Sequence, residues 1–340
     1  MKKIIYFLSA TFILMFAVLI LKNPNPCIKA TSYSINLCAR VLIPSLFPFT
    51  FCVLFILNTN ILNKLNFFDR LLKKLFGMDS YLFSVFFLSL IGGYPLGAKL
   101  INDSQIDKKT AEAMLNYCVN AGPAFIITAV GNGIFNSHKI GVILFVCHIL
   151  PPFILAFLFR KKLSANKCRC KNSISIADNF VMSATSSAAA LINICTFVLL
   201  FSVITAYFQS FALLKPITLL LEVTNSISHT NNILLISALL GFGGISIWCQ
   251  VYSLSQKAKP AFLTFPLCRI FHAFSSATFT YIAIKLFGVT MTTLSNGKEF
   301  GFTAFTNSTP VGFSLIILCI LFMISLNQKN YTGNMLEDIV

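Results

Sequence analysis

The stretch Ser89-Leu-Ile-Gly-Gly-Tyr-Pro-Leu-Gly-Ala-Lys99 closes a long apolar segment with three glycines and a proline, followed by a lysine. Glycine releases the backbone and proline removes a hydrogen-bond donor, so a regular helix cannot run through Gly92, Gly93, Pro95 and Gly97. At membrane depth such backbone survives only when it is buried in protein or lines a watery cavity. The device returns as Leu240-Gly-Phe-Gly-Gly-Ile-Ser-Ile-Trp-Cys-Gln250, with Gly243-Gly244 placed 151 residues after Gly92-Gly93 (243 − 92). Two glycine-broken apolar segments in matching halves point to the binding site of a transporter.

Composition makes these membrane segments. The 340 residues are 56% hydrophobic and 11% charged, against about 25% charged in a soluble domain. The fold class expected is therefore all-α, a multi-pass integral membrane protein. A net charge of +16 does not indicate nucleic acid, because the bases gather in short loops between apolar runs, the positive-inside pattern. Of eleven cysteines, Cys52, Cys118, Cys147, Cys195, Cys249, Cys268 and Cys319 sit singly in apolar runs and read as small hydrophobes. Cys168 and Cys170 read as reduced cytoplasmic thiols, with no second pair or histidine at zinc spacing. No metal site and no cofactor are expected.

Lys2-Lys3 and the apolar run Ile4 to Leu21 read as an uncleaved first helix with its amino end inside. A second span, 35–57, carries Arg40 and then Pro44 and Pro48, which should bend or break it. Lys64, Arg70, Lys73 and Lys74 mark a cytoplasmic loop. After the first broken element, Ser104-Gln-Ile-Asp107 resembles a capping box opening a short amphipathic helix at the membrane surface. Asn120-Ala-Gly-Pro123 interrupts the chain again, and a helix over 140–159 holds His148 and Pro151-Pro152. Arg160, Lys161, Lys162, Lys167, Arg169 and Lys171 form the most basic loop. The second half has a span ending near Tyr207, a loop read as external that includes Glu222, the second broken element, and a span to Phe287 carrying Arg269, His272 and Lys285. A last span is expected over 310–326, before a short tail.

The basic loops at 62–77 and 160–171 belong on one side only if residues 81–98 enter and leave by the same face. The two halves then become inverted repeats, each with a Gly-Gly re-entrant hairpin, and the hairpins meet near the midplane. Lys257 and Lys259 fall outside in that arrangement. The divisions are a first transmembrane helix (1–25), a first repeat (26–160), a basic cytoplasmic loop (161–180), a second repeat (181–290) and a terminal helix with its tail (291–340).

Four motifs together, Arg40-Val-Leu-Ile-Pro-Ser-Leu-Phe-Pro48, Gly93-Tyr-Pro-Leu-Gly-Ala-Lys99, Asn120-Ala-Gly-Pro-Ala-Phe-Ile126 and Cys249-Gln250 with Arg269-Ile-Phe-His272, resemble the sporulation integral membrane protein YlbJ family. That family lies in the nucleoside-recognition, or Gate-domain, group, and the resemblance covers about residues 35 to 290. It implies a multi-pass membrane protein of an endospore-forming bacterium, in the outer forespore membrane or cell membrane, linked to movement of dipicolinate, a small aromatic dianion. Trp248 stands where a nucleoside site wants a polar residue, so nucleoside specificity is not carried over.

Charge points the same way. Arg40, Lys99, His148, Arg269, His272 and Lys285 lie in or beside the spans, and acids are nearly absent there. A planar guanidinium holds a carboxylate bidentately. Arg269 is therefore the first substrate-binding candidate, with His272 one turn on, then Gln250, Lys99, Asn120 and Arg40. The glycines Gly92, Gly93, Gly97, Gly243 and Gly244, with Pro95, form the hairpin backbone. Lys285 reads as an interfacial anchor and His148 as a packing histidine, while Lys99 stays open between a site and a boundary marker. The favoured function is a transporter or facilitator for a small organic anion. The alternatives are a non-transporting scaffold for spore cortex assembly and a nucleoside-type transporter. No catalytic set or nucleotide loop supports an enzyme. Expected partners are membrane lipid, the anion, and a second copy or other sporulation membrane proteins.

Overall fold

A computed structural model describes residues 2–59, 69–163, 175–211, 214–228 and 230–287. The expected span over 310–326, the tail, Lys64 and the Cys168–Cys170 pair lie outside the described residues. The protein is an all-α multi-pass membrane protein. Five described helical segments are long and apolar enough to cross a membrane: Asn25–Thr59, His138–Lys162, Ile176–Phe208, Ile233–Leu254 and Thr264–Phe287.

The first helix, α1 (Lys2–Lys22), ends where Pro24 and Pro26 start a new one. The next span is α2 (Asn25–Leu37), a π-helical segment (Cys38–Leu42) and α3 (Ile43–Thr59). Pro44 and Pro48 do not break it, and the helix is distorted rather than interrupted. Pro44 has no N–H for the carbonyl four residues back, and the wide π turn sits just before it, where the mismatch is absorbed. The Ser45 hydroxyl, donating to the Val41 carbonyl at 2.6 Å, fills another place in the ladder.

Then come α4 (Asp69–Phe76), α5 (Ser80–Gly92), α6 (Leu96–Asp103) and α7 (Lys108–Leu115). The first broken element is a hairpin. Helices α5 and α6 pack on each other, and the Gln105 N–H, just past α6, donates to the Tyr81 hydroxyl at the start of α5 (3.4 Å). Asp107, not Ser104, caps α7 by accepting the Thr110 N–H at 3.1 Å. Helix α7 is also largely buried rather than lying on a surface. Non-helical residues 116–122 lead into a second π-helical segment (Ala124–Asn132), then α8 (His138–Phe159) with a closing turn at Arg160–Lys162.

The second half comprises α9 (Ile176–Phe208), α10 (Lys215–Leu221), α11 (Val223–Ser228), α12 (Ile233–Phe242), α13 (Gly244–Leu254) and α14 (Thr264–Phe287). Here the structure departs from the expected hairpin. Helices α12 and α13 make one apolar span broken at Gly243-Gly244, and they pack on different neighbours, α12 on α14 and α13 on α9. The reversal occurs earlier. The Ser226 hydroxyl donates to the Thr218 carbonyl across eight residues at 3.4 Å, which only a turn at Glu222 between α10 and α11 allows.

Contacts across the chain fix which ends face each other. Gly77 packs so closely that a Cβ there would lie 2.4 Å from the Arg160 carbonyl oxygen, and the Phe76 and Phe153 rings are 5.9 Å apart. The described parts of the two basic loops therefore share one end, as their charge requires. Lys257 lies at that end too, its ammonium donating to the Ser104 carbonyl at 2.7 Å. Its expected position on the other face is corrected, because α12–α13 crosses instead of turning back. At the opposite end the Tyr207 hydroxyl donates to the Asn23 carbonyl at 2.6 Å. The order of span, hairpin, broken span and span thus occurs twice. It runs as 25–59, α5–α6, 116–132 and α8, then as α9, α10–α11, α12–α13 and α14. The first hairpin enters from the basic end and the second from the opposite end.

Candidate functional site

Residues 116–122 form buried, non-helical backbone, and their carbonyls must find donors. The Asn116 amide donates to the carbonyls of Glu112 (3.0 Å) and Ala113 (3.2 Å), and the Asn120 amide to Tyr117 (2.7 Å). Arg269 supplies two more: its Nη2 donates to the Asn116 carbonyl at 2.9 Å and its Nη1 to the Val119 carbonyl. The guanidinium also stands 5.7 Å from the centroid of the Phe265 ring. An arginine facing lipid at mid-helix costs at least about 2.5–3.5 kcal/mol. Arg269 avoids this by facing inward, where it is 1% exposed. Its Nε is buried without a partner.

The histidines brace the same loop. The backbone N–H of Ala121 donates to His148 Nε2 at 2.9 Å, so a neutral His148 carries its proton on Nδ1. Pro152 has no N–H for the His148 carbonyl, and His272 Nε2 donates to that carbonyl at 2.9 Å instead. The two rings lie 4.4 Å apart. His148 is midway along α8, so Ala121 and Gly122 lie at the middle of the bundle.

Two glycine contacts hold the tips there. A Cβ on Gly93, at the first hairpin's tip, would lie 2.8 Å from the Gly122 nitrogen. A Cβ on Gly244, midway along the second broken span, would lie 3.2 Å from the Val223 nitrogen and 3.3 Å from the Leu221 oxygen at the second hairpin's tip. Between these contacts lies a crevice lined by Leu42, Gly93, Tyr94, Gly122, Thr224 and Ile247. The expected meeting of hairpin tips thus occurs, with α10–α11 as the second hairpin. The Tyr94 hydroxyl is buried without a partner, within electrostatic reach of Glu222 and Arg269.

The sequence candidates divide. Arg269 and Asn120 meet at the 116–122 loop, and His272 reaches it only through His148. Gln250 is buried on α13, donating to Ser246 Oγ at 3.3 Å, and is not part of the crevice lining. Lys99 is partly exposed and paired with Asp103 at 3.1 Å within α6, which makes it a boundary residue. Arg40 is exposed on the π-helical segment of the second span and joins no site. Lys285 is exposed beside the Tyr281 ring, 5.4 Å from its centroid. Trp248 has a backbone task, its indole N–H donating to the Phe242 carbonyl at the Gly-Gly break (3.1 Å).

Glu222 was the residue misplaced by sequence. It sits not in an external loop but at a hairpin tip, fully buried. The signal was present: between Asp178 and Glu299 it is the sole acid, and it follows three leucines.

The chain is similar to the sporulation integral membrane protein YlbJ of Bacillus subtilis (strain 168), at 21% identity over 343 aligned residues covering 84% of each chain. No family model matches the chain, and no solved structure does.

Proposed function

We propose that this protein moves a small organic anion across a membrane of sporulating cells, with dipicolinate as the substrate indicated by the family resemblance and the outer forespore membrane as the site. The observation that carries this reading is the convergence of two oppositely entering hairpin tips and two broken spans on one crevice at mid-depth. Binding sites of secondary transporters are assembled from such broken elements. The similarity to a sporulation membrane protein supports the setting, and the basic end then faces the mother-cell cytoplasm. Arg269 supports the anion: it places a permanent positive charge beside the loop that forms one wall, and its Nε and the Tyr94 hydroxyl are donors not yet used.

A scaffold reading has one observation in its favour, since both terminal nitrogens of Arg269 are already bonded to backbone. Uptake of labelled dipicolinate by the purified protein in liposomes separates the two. Wild-type protein is expected to exceed protein-free liposomes clearly. Arg269→Gln should lower uptake more than about tenfold at equal inserted protein, a loss of about 1.4 kcal/mol or more. Arg269→Lys should restore part, because it keeps the charge and loses the planar fork. Wild-type rates from inserted Arg269→Gln would remove Arg269 from the transport path, and no uptake by the wild type would favour the scaffold.

A further inference from the structure

At the end remote from the basic loops, the start of α2 and the end of α9 line a separate space. It is a cavity of about 460 Å³, against about 20 Å³ for the crevice at mid-depth. The crevice thus has room for a single water. In this state it is closed, while the outer cavity is open. The cavity's rim carries the exposed Asn25, Lys29 and Gln209, and Tyr33 lines it too. Its buried floor is Ser202 and Thr205, 2% and 4% exposed. Elsewhere on α9 the hydroxyls of Thr185, Ser187 and Thr196 donate to the carbonyl four residues back. Those of Ser202 and Thr205 do not, and both are buried without a partner. Their hydrogens remain available to a ligand.

Cavity and crevice share a helix face. Along α9, Ile194 and Val198 line the crevice, and Ser202, Ala206 and Gln209 line the cavity. Steps of three and four keep these residues on one stripe, and the turn from Val198 to Ser202 rises only about 6 Å. Along the span packed against it, Ala30 lines the cavity and Leu42, in the π-helical segment, lines the crevice. Buried Ser34 lies between them, its hydroxyl also without a partner. The Tyr33 hydroxyl reaches the second hairpin, donating to Ser228 Oγ on α11 at 3.5 Å. Resting on the anion-transport reading, we propose that this cavity is the outer vestibule of the transport path, a binding site that holds the anion before it enters the crevice or after it leaves.

The lining selects the class of ligand. Lys29 is its one charged residue, and it forms no ion pair among the described residues. No acid lines the cavity, so a cation finds no carboxylate there. A lysine ammonium is a compact point charge that meets an anionic oxygen without requiring a planar fork, and such charge-assisted bonds are stronger than neutral ones. A small carboxylate or other oxyanion therefore meets one charge at the rim and two free hydroxyl donors at the floor. Fixed charge at the mouth of a cleft with low-dielectric walls raises the local concentration of its counter-ion. The same oxygens are offered by a dissolved anion and by the headgroup of an anionic lipid. The site is assigned to the dissolved anion because the α9 stripe leads from the cavity to the crevice.

The test places Ala206→Cys on the cavity wall of the detergent-purified full chain. Its modification by an anionic methanethiosulfonate reagent is followed by peptide mass spectrometry, with dipicolinate as the probe ligand. At ten times its half-protecting concentration, dipicolinate should slow the modification about tenfold. Lys29→Gln, and separately Ser202→Ala with Thr205→Val, should each raise that half-protecting concentration by about tenfold. In liposomes both should lower uptake from dilute dipicolinate by a similar factor. Absence of protection, or protection undiminished in both variants, overturns the vestibule while wild-type uptake keeps the transport reading intact. Protection by phosphatidylglycerol added to the micelles, but not by dipicolinate, overturns it in favour of a lipid headgroup. Protection by dipicolinate in a wild type that moves none overturns the transport reading and leaves an anion site without a path.

Discussion

The two contacts between hairpin tip and broken span share a geometry but not a chemistry. In the first half glycine meets glycine, Gly93 against Gly122, and Gly97 of the same hairpin lies against the Cys118 carbonyl. In the second half Gly244 alone is glycine, and it faces the ordinary backbone of Leu221 and Val223. The first tip turns with Gly93 and Pro95, the second with a carboxylate. The first half therefore depends on the absence of side chains, which lets backbones touch. Positive φ occurs in both halves, at Gly93 (78°) and at Gly243 and Gly244 (82° and 77°), but in the second half no tip contact of Gly244 is closer than 3.2 Å. One half keeps its tip by contacts that no side chain could share, and the other by contacts that a methyl group would crowd without overlap.

The sharpest way to break this contrast is Gly97→Ala. A Cβ there would stand 1.7 Å from the Cys118 carbonyl oxygen. That atom is backbone in a loop already fixed by Arg269 and Asn120, so it cannot yield. The loss should exceed the roughly 1–3 kcal/mol of ordinary overpacking. Little monodisperse protein should be recovered from membranes by size-exclusion chromatography. Normal recovery and melting temperature would show that the first hairpin is not held by backbone contact.

The same contrast explains what could be read beforehand. The spans, the inward face of Arg269 and the first hairpin followed from apolar runs, charge placement and glycine punctuation, because lipid leaves a chain few alternatives. The second Gly-Gly pair misled because glycine reports an unusual backbone and not its direction. Gly92-Gly93 precedes a reversal, whereas Gly243-Gly244 interrupts a crossing, and the 151-residue offset paired elements that are not equivalent. The true second hairpin escaped notice because its helices span only Lys215–Leu221 and Val223–Ser228 and its tip has no glycine. Arg269 was found, but its carbonyl partners were not, since their exposure arises only when residues 116–122 fold without a helix.

A smaller effect is expected at Gly244→Ala. The residue has φ 77°, and its nearest neighbours would stand at 3.2–3.4 Å, close without overlap. The left-handed conformation should cost about 1–2 kcal/mol, with a modest further cost as Val223 yields. Protein should still insert, at reduced melting temperature, and uptake should fall more than stability because the shift displaces Thr224, which lines the crevice. A loss of folded protein equal to that of Gly97→Ala would erase the distinction between the halves.

The smallest effect, and the most informative about the second half, is expected at Gly243→Asn. Gly243 has φ 82° and ψ −17°, and it caps α12 through its N–H, which donates to the Leu239 carbonyl at 2.9 Å. Its nearest neighbours would be side-chain carbons of Ile247 at 3.6 Å or more, ordinary contact. If only the dihedral matters, asparagine should suffice, since it enters the left-handed region more readily than other non-glycine residues. Its cost should stay within about 0.5 kcal/mol, the range of substitutions that disturb no special feature. Gly243→Val, with a β-branched side chain unsuited to positive φ, should cost clearly more although the space is the same. Equal damage from both variants, read as melting temperature of inserted protein, would mean that Gly243 is kept clear of side chains for a closer approach in another state of the transport cycle. Glycine would then serve backbone contact in both halves, and only the timing of that contact would differ.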